Sequence, residues 1–278
     1  MKLFINALTH LDASLWTPQQ GLTGGSWLVD LELSAPQAED GMILDFGLVK
    51  PWAKKLLDEG ADHTLLLPAH NRHLHLESLP NKRLRVSCEQ PYFMLLEAPE
   101  EAFTLLPLEE ITEAELAAWL SESLNQQLPL SQGQASLQLR QEQLGAQPEI
   151  HYSHGLRLHD GNCQRIAHGH RSKLEVFCNG EADLSSARKL AERWNHAYLF
   201  DQADLIRRAN GCVVIGYQAP QGQFQITLPE TLAFCLPGPT TVENLTCFLF
   251  QQLKQEHPEQ HWEVRMYEGI NKGAVVEG

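Results

Sequence analysis

The chain of 278 residues carries the same patterns in the same order in its two halves. Residues 26–33 alternate apolar and polar side chains like a half-buried strand, and residues 171–177 do so 145 residues later. A helical pattern opens at Thr112 and again, 129 residues later, at Thr241. Offsets that drift in this way fit a duplicated domain with loops of uneven length. We therefore predict two similar domains, residues 1–147 and residues 148–278.

Each half is predicted to run strand, strand, helix, hairpin, helix, strand. The first helix begins with Asp45 as N-cap or with Pro51 at its first position, and it ends at Gly60. The matching helix of the second half covers about residues 184–194. The second helices are predicted from Thr112 to about Leu124 and from Thr240 and Thr241 to about Gln255, and the closing strands at residues 136–140 and 263–267.

The charge balance bears on the kind of partner. With 21 Lys and Arg against 35 Asp and Glu, the formal net charge is −14, which argues against a nucleic-acid-binding protein. No run approaches the roughly 20 apolar residues that span a bilayer, so no membrane segment is predicted. The N-terminus does not resemble a signal peptide. Six cysteines without CxxC pairs indicate free thiols, and we expect a cytoplasmic protein.

Three histidines of the second half have the spacing of metal ligands. His168 and His170 flank Gly169, and side chains two residues apart on a strand point to the same face. An adjacent antiparallel strand could bring in His154, which would complete a catalytic zinc shell with an open fourth position. The alternative is a turn with two solvent-facing histidines. The first half has Thr-Gly-Gly at residues 23–25, so a turn of this kind does not need histidines.

One cysteine stands near this constellation. Cys163 lies five residues before His168, and a thiol beside a dication has a lowered pKa and can act as a base. The alternative is an inert buried cysteine, which is the expectation for the other five. The second histidine cluster, residues 70–75, is predicted to be a solvated loop.

An ordered set of motifs in residues 150–278 resembles the 6-pyruvoyl tetrahydropterin synthase and 6-carboxytetrahydropterin synthase family. The set comprises an apolar strand ending in His154, the loop residue Cys163, the His-Gly-His of residues 168–170, Asn195 followed by His196, the helix start of residues 239–245 and the closing pair Tyr267 and Glu268. The first half resembles the family more loosely, at residues 41–47 and 61–66.

The resemblance implies an α+β protein made of two tandem tunnelling-fold repeats. Their four-stranded antiparallel sheets are expected to join edge to edge, with helix pairs on the outer face, and to assemble into a barrel in a homo-oligomer. It also implies a zinc-dependent lyase that acts on dihydroneopterin triphosphate or a related pterin. By resemblance the three histidines bind Zn²⁺, Cys163 abstracts a proton, and Glu268, Thr240 and Thr241 hold the pterin.

The second half departs from the family at one position. The family pairs its cysteine with an Asp-His dyad of a neighbouring subunit, whereas this half has Asn195, and an amide cannot stabilise an imidazolium as a carboxylate does. Asp62 and His63 survive in the half that lacks the metal turn. We therefore predict one composite site, with the zinc ligands, Cys163 and Glu268 from the second half and Asp62 and His63 from the first half, of this or another chain. His196 is the substitute candidate if Asp62 and His63 do not take part. The alternative is that Asp62 caps a turn and His63 packs under the sheet.

Two other functions remain open at this stage. One is altered chemistry on a similar pterin, such as side-chain cleavage or epimerisation, which Asn195 and the long insertions at residues 77–107 and 205–238 would permit. The other is a pterin-binding or scaffold protein without turnover. A triphosphate would need local positive charge on a chain of net −14, and four cations lie near the proposed site: Arg157, Arg165, Arg171 and Lys173.

Overall fold

The computed structural model describes residues 1–130 and 132–278. A long hairpin opens the first half, and two helices and six further strands follow it. The elements are β1 Lys2–Thr17, β2 Gly21–Ser34, α1 Phe46–Gly60, β3 Leu65–Pro68, β4 His75–Leu79, β5 Arg83–Cys88, β6 Met94–Pro99, β7 Phe103–Leu106, α2 Glu113–Gln126 and β8 Gln134–Arg140.

The second half presents the same sequence of elements, with two additional strands. They are β9 Glu149–His154, β10 His168–Cys178, β11 Glu181–Ala182, α3 Leu184–Trp194, β12 Ala197–Asp201, β13 Leu205–Ala209, β14 Cys212–Ala219, β15 Gly222–Pro229, β16 Ala233–Leu236, α4 Val242–Glu256, β17 Trp262–Tyr267 and β18 Gly273–Glu277. Within the described ranges, no helix is long and apolar enough to cross a membrane.

The helix starts follow from capping side chains, as predicted. Asp45 caps α1 by accepting from the backbone N–H of Gly47, whereas Pro51 lies inside the helix. Thr112 forms a capping box with Glu115 at the start of α2. At the start of α4, Thr241 accepts from the backbone N–H of Asn244. These bonds satisfy N–H groups that have no partner within the helix, so the local sequence determines where each helix begins.

Each half forms one sheet, and the two sheets have corresponding strand orders. The first is β7-β3-β1-β2-β8, and the second runs β16-β12-β9-β10-β17 and continues to β18. The predicted antiparallel pairing holds for β1-β2-β8 and β9-β10-β17. The pairs β1-β3, β3-β7, β9-β12 and β12-β16 are parallel, which the sequence patterns did not indicate. Helices α1 and α2 share a hydrophobic core with the first sheet, and α3 and α4 with the second.

The two insertions build a third sheet of order β13-β14-β15-β6-β5-β4. It contains the edge-to-edge junction between the halves, because β15 pairs with β6 in the register Ile226 opposite Leu96. The main sheets themselves do not join through a ladder within the described chain, which corrects the expectation of edge-to-edge joining. The third sheet has its own core, around Val86, Phe224 and Ile226, which explains why both insertions are rich in alternating apolar residues.

The hairpins β1-β2 and β9-β10 lie directly against each other where the halves meet. The Ser14 hydroxyl donates to the Ser153 hydroxyl across this contact at 2.7 Å, and both side chains are buried. A Cβ on Gly24 would collide with the backbone oxygens of Tyr152 and His170. The close approach therefore depends on glycine, and it brings residues of the first half to the start of β10.

Candidate metal centre and catalytic site

The three predicted metal ligands come together at one end of the β9-β10 hairpin. His154 ends β9 and lies opposite His168, which begins β10, and His170 follows on the same face. One ligand nitrogen from each lies within 4.8 Å of the other two. All three side chains are buried, with 0 to 1% exposure. Their spacing on two paired strands is what the sequence pattern predicts.

Hydrogen bonds on the outer side orient two of the imidazoles. The Nδ1–H of His154 donates to the Thr240 carbonyl at 3.1 Å and lies 3.0 Å from the Thr240 hydroxyl. The Nδ1–H of His168 donates to the Arg165 carbonyl at 3.1 Å. A carbonyl only accepts, so in both rings Nδ1 carries the proton and Nε2 carries the lone pair. These Nε2 atoms are buried and have no hydrogen-bond partner among the described residues.

The electrostatic environment keeps both of these imidazoles neutral. Burial lowers the pKa of His154 well below its ordinary value, and the neighbouring His170 lowers it further. Burial and the charge of His154 do the same to the pKa of His168. Buried, neutral imidazoles with unpartnered nitrogens are the donor set that Zn²⁺ prefers in catalytic sites. Within residues 1–130 and 132–278 this is the one group of three or more metal-ligand side chains.

The dyad of the first half lies beside these histidines, in the same chain. His63 follows α1, and its ring centroid is 5.5 Å from that of His168 and 6.2 Å from that of His170. Its Nδ1–H donates to Asp62 Oδ2 at 2.5 Å, while Asp62 Oδ1 accepts from the backbone N–H of Asp12 at 2.9 Å. Burial lowers the pKa of His63, but the Asp62 carboxylate and the Cys163 thiol outweigh it and raise that pKa to about 10.

Cys163 reaches the same space from the loop between β9 and β10. It lies in a single 3-10 turn, Asn162–Gln164, and its carbonyl accepts from the backbone N–H of Leu156 at 2.8 Å. This bond ties the loop to the end of β9. The half-buried thiol is close enough to His63 to raise the pKa of that imidazole. A thiol beside an imidazolium is a suitable general base.

His196 is placed elsewhere. Its Nδ1 lies 2.8 Å from the Thr23 hydroxyl, and its ring stacks on His151 with 5.2 Å between centroids. These contacts put it at the position in the second half that corresponds to that of His63, facing residues 23–25, which have no histidine. Those residues belong to strand β2 and not to the expected turn. Burial lowers the pKa of His196, and the charge of His151 lowers it further. Of the two candidate partners for Cys163, the fold brings His63 to the metal histidines and leaves His196 outside.

The three expected pterin-binding residues, Glu268, Thr240 and Thr241, differ in their surroundings. Glu268 follows β17 and is half-buried. Burial raises the pKa of Tyr152, and the charge of Glu268 raises it further. Burial lowers the pKa of Lys272, but the charges of Asp12 and then Glu268 outweigh this and raise it. The hydroxyls of Thr240 and Thr241 have structural partners instead: His154 for the first and the α4 N-terminus for the second. The expectation that backbone or hydroxyl groups of both threonines hold the pterin stays a prediction.

Three of the four nearby cations are paired with carboxylates. Their partners are Asp204 for Arg157, Glu149 for Arg171 and Glu175 for Lys173. Arg165 is buried, donates through Nε to the Gln221 side chain at 3.2 Å, and leaves Nη1 without a hydrogen-bond partner among the described residues. Burial lowers its pKa, although the charges of Glu101 and Asp62 act against this. Its Nη1 is therefore available to donate a hydrogen bond near the site.

Sequence reasoning missed Asp12. Its carboxylate, 2% exposed, lies 3.4 Å from His170 Nδ1 and 3.3 Å from Lys272 Nζ. Burial raises the pKa of this carboxyl, but His170, Lys272 and Ser26 hold it well below its usual range. The sequence carries no signal for it, because Asp12 alternates with the core residues Leu11 and Ala13 and therefore falls on the polar face of the strand pattern.

Together these features define an α+β protein with a three-histidine candidate metal centre, a cysteine, and an Asp-His pair. The family model of 6-pyruvoyl tetrahydropterin synthase matches residues 143–278. The match covers just under half of the chain and assigns residues 143–278, not the first half, to this family.

Individual relatives match part of the chain. A provisionally named 6-carboxy-5,6,7,8-tetrahydropterin synthase of Methanocaldococcus jannaschii is 31% identical over 106 residues, which are 38% of this chain and 62% of that protein. The 6-carboxy-5,6,7,8-tetrahydropterin synthase of Haemophilus influenzae is 27% identical over 136 residues, 42% of this chain and 84% of that protein. The crystal structure of 6-pyruvoyl tetrahydropterin synthase from Plasmodium vivax aligns with a TM-score of 0.39 at 18% identity, over 50% of this chain and 97% of that one.

Proposed function

We propose that this protein is a zinc-dependent lyase that acts on dihydroneopterin triphosphate or a related pterin and forms a 6-pyruvoyl or 6-carboxy tetrahydropterin. One observation carries the proposal: the unpartnered nitrogens of three buried histidines lie beside a cysteine and an Asp-His pair. The names of the relatives support the substrate class. A zinc ion held by His154, His168 and His170 would supply a Lewis acid that makes C–H bonds next to substrate oxygens more acidic.

In this proposal the residues around the metal move the proton. Cys163 takes the proton from substrate carbon as a thiolate, and the His63 imidazolium stabilises that thiolate by its charge. Asp62 holds the imidazolium in place and keeps it charged, as the raised pKa of His63 indicates. Each residue thereby has one chemical task, and the tasks are shared between the two halves of one chain.

In this proposal, charged side chains bind the substrate at both of its ends, the pterin ring and the anionic side chain. Glu268 is proposed to accept hydrogen bonds from the 2-amino and ring N–H groups of the pterin. Arg165 is proposed to meet the anionic side-chain substituent, because its guanidinium is the one of the four nearby cations without a carboxylate partner. A buried guanidinium with free donors pairs well with phosphate oxygens.

We further propose that the chain is a tandem duplication, with residues 1–147 as the degenerate copy. Corresponding bonds support this: Asn195 Oδ1 accepts from the His151 N–H at 3.1 Å, as Asp62 does from Asp12. The edge strand β8 has no outer neighbour among the described residues, which favours the proposed barrel-forming homo-oligomer. Six free cysteines agree with the proposed cytoplasmic location.

The deciding experiment is to incubate the zinc-loaded protein with dihydroneopterin triphosphate and to identify the products by mass. Loss of triphosphate with formation of a tetrahydropterin is the expected result. Cys163→Ala should abolish it, and Cys212→Ala, a cysteine of β14, should not. Products from side-chain cleavage or epimerisation would replace the proposal with altered pterin chemistry, and binding without any product would indicate a pterin-binding protein.

A further inference from the structure

Asp12 is a buried carboxylate of the first half that faces the metal histidines of the second half. Its Oδ1 accepts from the Ser26 hydroxyl at 2.5 Å and lies 3.4 Å from His170 Nδ1. Its Oδ2 lies 3.3 Å from Lys272 Nζ. A Cβ on Gly269 would collide with the carboxylate, so the side chain is confined on that side as well. The carboxylate therefore has one well-defined position.

Of the three histidines, His170 is the one whose outer partner comes from the other half. The Nδ1–H groups of His154 and His168 donate to carbonyls of Thr240 and Arg165, which belong to the second half. For His170, the Asp12 carboxylate, 158 residues away in sequence, lies 3.4 Å from Nδ1, and neither ring nitrogen has a hydrogen-bond partner among the described residues. A carboxylate this close to Nδ1 attracts the ring proton to that nitrogen and so favours the tautomer with the lone pair on Nε2, which is the ligand form.

The corresponding position of the second half supports a dedicated role. By register, Asp12 is opposite Ser26 on β1-β2, and His151 is opposite Arg171 on β9-β10. His151 faces residues 23–25 of β2, which lack histidines, and its Nδ1 bonds to the Gly24 carbonyl. The carboxylate is thus present where a ligand histidine needs an acceptor and absent where there is no such histidine.

The backbone of Asp12 also supports the proton-transfer pair. Its N–H donates to Asp62 Oδ1 at 2.9 Å, and its carbonyl accepts from the His63 N–H at 2.7 Å. The same residue therefore connects the Asp-His pair to a metal ligand, and a shift of β1 at this point would move both.

We propose that Asp12 is the positioning residue for His170, so that the metal-lacking half completes the metal centre of the other half. This inference rests on the metal centre proposed above. A residue that fixes a ligand imidazole from outside contributes about 10- to 100-fold to metal affinity. An Asp12 that only neutralised Lys272 would contribute to folding stability but not to zinc binding.

The test compares Asp12→Ala and Asp12→Asn with a matched control, Asp30→Asn, which removes a carboxylate of β2 that pairs with Arg140. The dissociation constant for Zn²⁺ is measured by competition with a chelator. Asp12→Ala should raise it about 10- to 100-fold. Asp12→Asn should raise it less, because an amide oxygen keeps a partial negative charge beside Nδ1, and Asp30→Asn should leave it unchanged. Zinc affinity within twofold of wild type in both Asp12 variants would overturn the inference.

A second measurement separates this inference from the proposed function. In the metal-free protein, ¹⁵N spectra report the tautomer of His170, whose signals are assigned by their loss in His170→Gln. Wild type should carry the proton on Nδ1, and Asp12→Ala should lose this preference; an unchanged tautomer contradicts the role of Asp12. Wild-type protein that binds no zinc would instead refute the metal centre. Asp12→Asn has the shape of the native side chain, which covers the case in which Asp12→Ala does not fold.

Discussion

The Asp62→Asn variant tests the charge arrangement of the site most directly. The Asp62 carboxylate accepts two donors, one on each oxygen: the Asp12 N–H and the His63 Nδ1–H. An amide has a single acceptor oxygen, so the variant can keep only one of these bonds. The corresponding pair of the second half has this chemistry already. Asn195 accepts from the His151 N–H, and His196 Nδ1 contacts Thr23 instead.

The expected size of the effect follows from the pKa of His63. That pKa is raised from 6.5 to about 10, which is a preference for the imidazolium of roughly 5 kcal/mol. Burial opposes the charge, and Asp62 contributes more than Cys163 to overcoming it. Loss of the carboxylate should remove at least half of the preference, roughly 2.5 kcal/mol or about two pKa units. The pKa of His63 should then lie at about 8 or below.

The assay is an NMR titration of the metal-free protein with labelled histidine, in which His63→Gln identifies the His63 signal. Asn195→Asp serves as the matched control, since it changes the corresponding residue away from the metal histidines and should leave His63 unaffected. A folded Asp62→Asn protein whose His63 still titrates above about 9 would show that the carboxylate is not what keeps this imidazole charged.

Three further outcomes are expected. Cys163→Ser should reduce kcat about 10²- to 10⁴-fold with zinc content unchanged, as measured by turnover and metal analysis; equal turnover would remove the thiol from the chemistry. Gly24→Ala should lower the free energy of unfolding by about 1–3 kcal/mol, because its Cβ meets backbone atoms of Tyr152, whereas Gly60→Ala, with open space at its Cβ, should not. The contribution of the His63 imidazolium to the free energy of unfolding should be fully present below pH 6.5 and lost as the pH rises through about 10, since the folded state raises this pKa. Denaturation of the metal-free proteins should show that the difference in free energy of unfolding between wild type and Asp62→Asn shrinks over that range. A constant difference would contradict the prediction.

Much of the local structure could be predicted from the sequence. The expected helix at residues 184–194 coincides with α3, and the threonine and aspartate caps start α1, α2 and α4 where they were placed. Caps and apolar periodicity act over a few residues, so the sequence displays them directly. The two parallel strands beyond each hairpin were not predicted, because pairing between short apolar segments depends on the packing of the whole sheet.

The third sheet was also beyond the sequence patterns. The sequence predicted a hairpin between the helices of each half and long insertions there, but not that the two insertions pair with each other through β6 and β15. Alternating apolar residues indicate strands but do not specify the partner strand, since the register is set by the hydrophobic face that becomes buried in the fold. The sequence likewise does not show which of His63 and His196 lies beside the three histidines, because their flanking residues are similar and only their surroundings in the fold differ.

The sequence by itself identified the three candidate metal ligands, since His168 and His170 are two residues apart on a strand and His154 ends its neighbour. It also identified Cys163 and the surviving Asp-His pair as the chemically able groups. Only the tertiary structure decided that Asp62 and His63 reach these histidines within the same chain, and that Asp12 faces His170. The reason is physical: strand geometry is local, whereas the contact between the two hairpins arises from the packing of buried surfaces far apart in sequence.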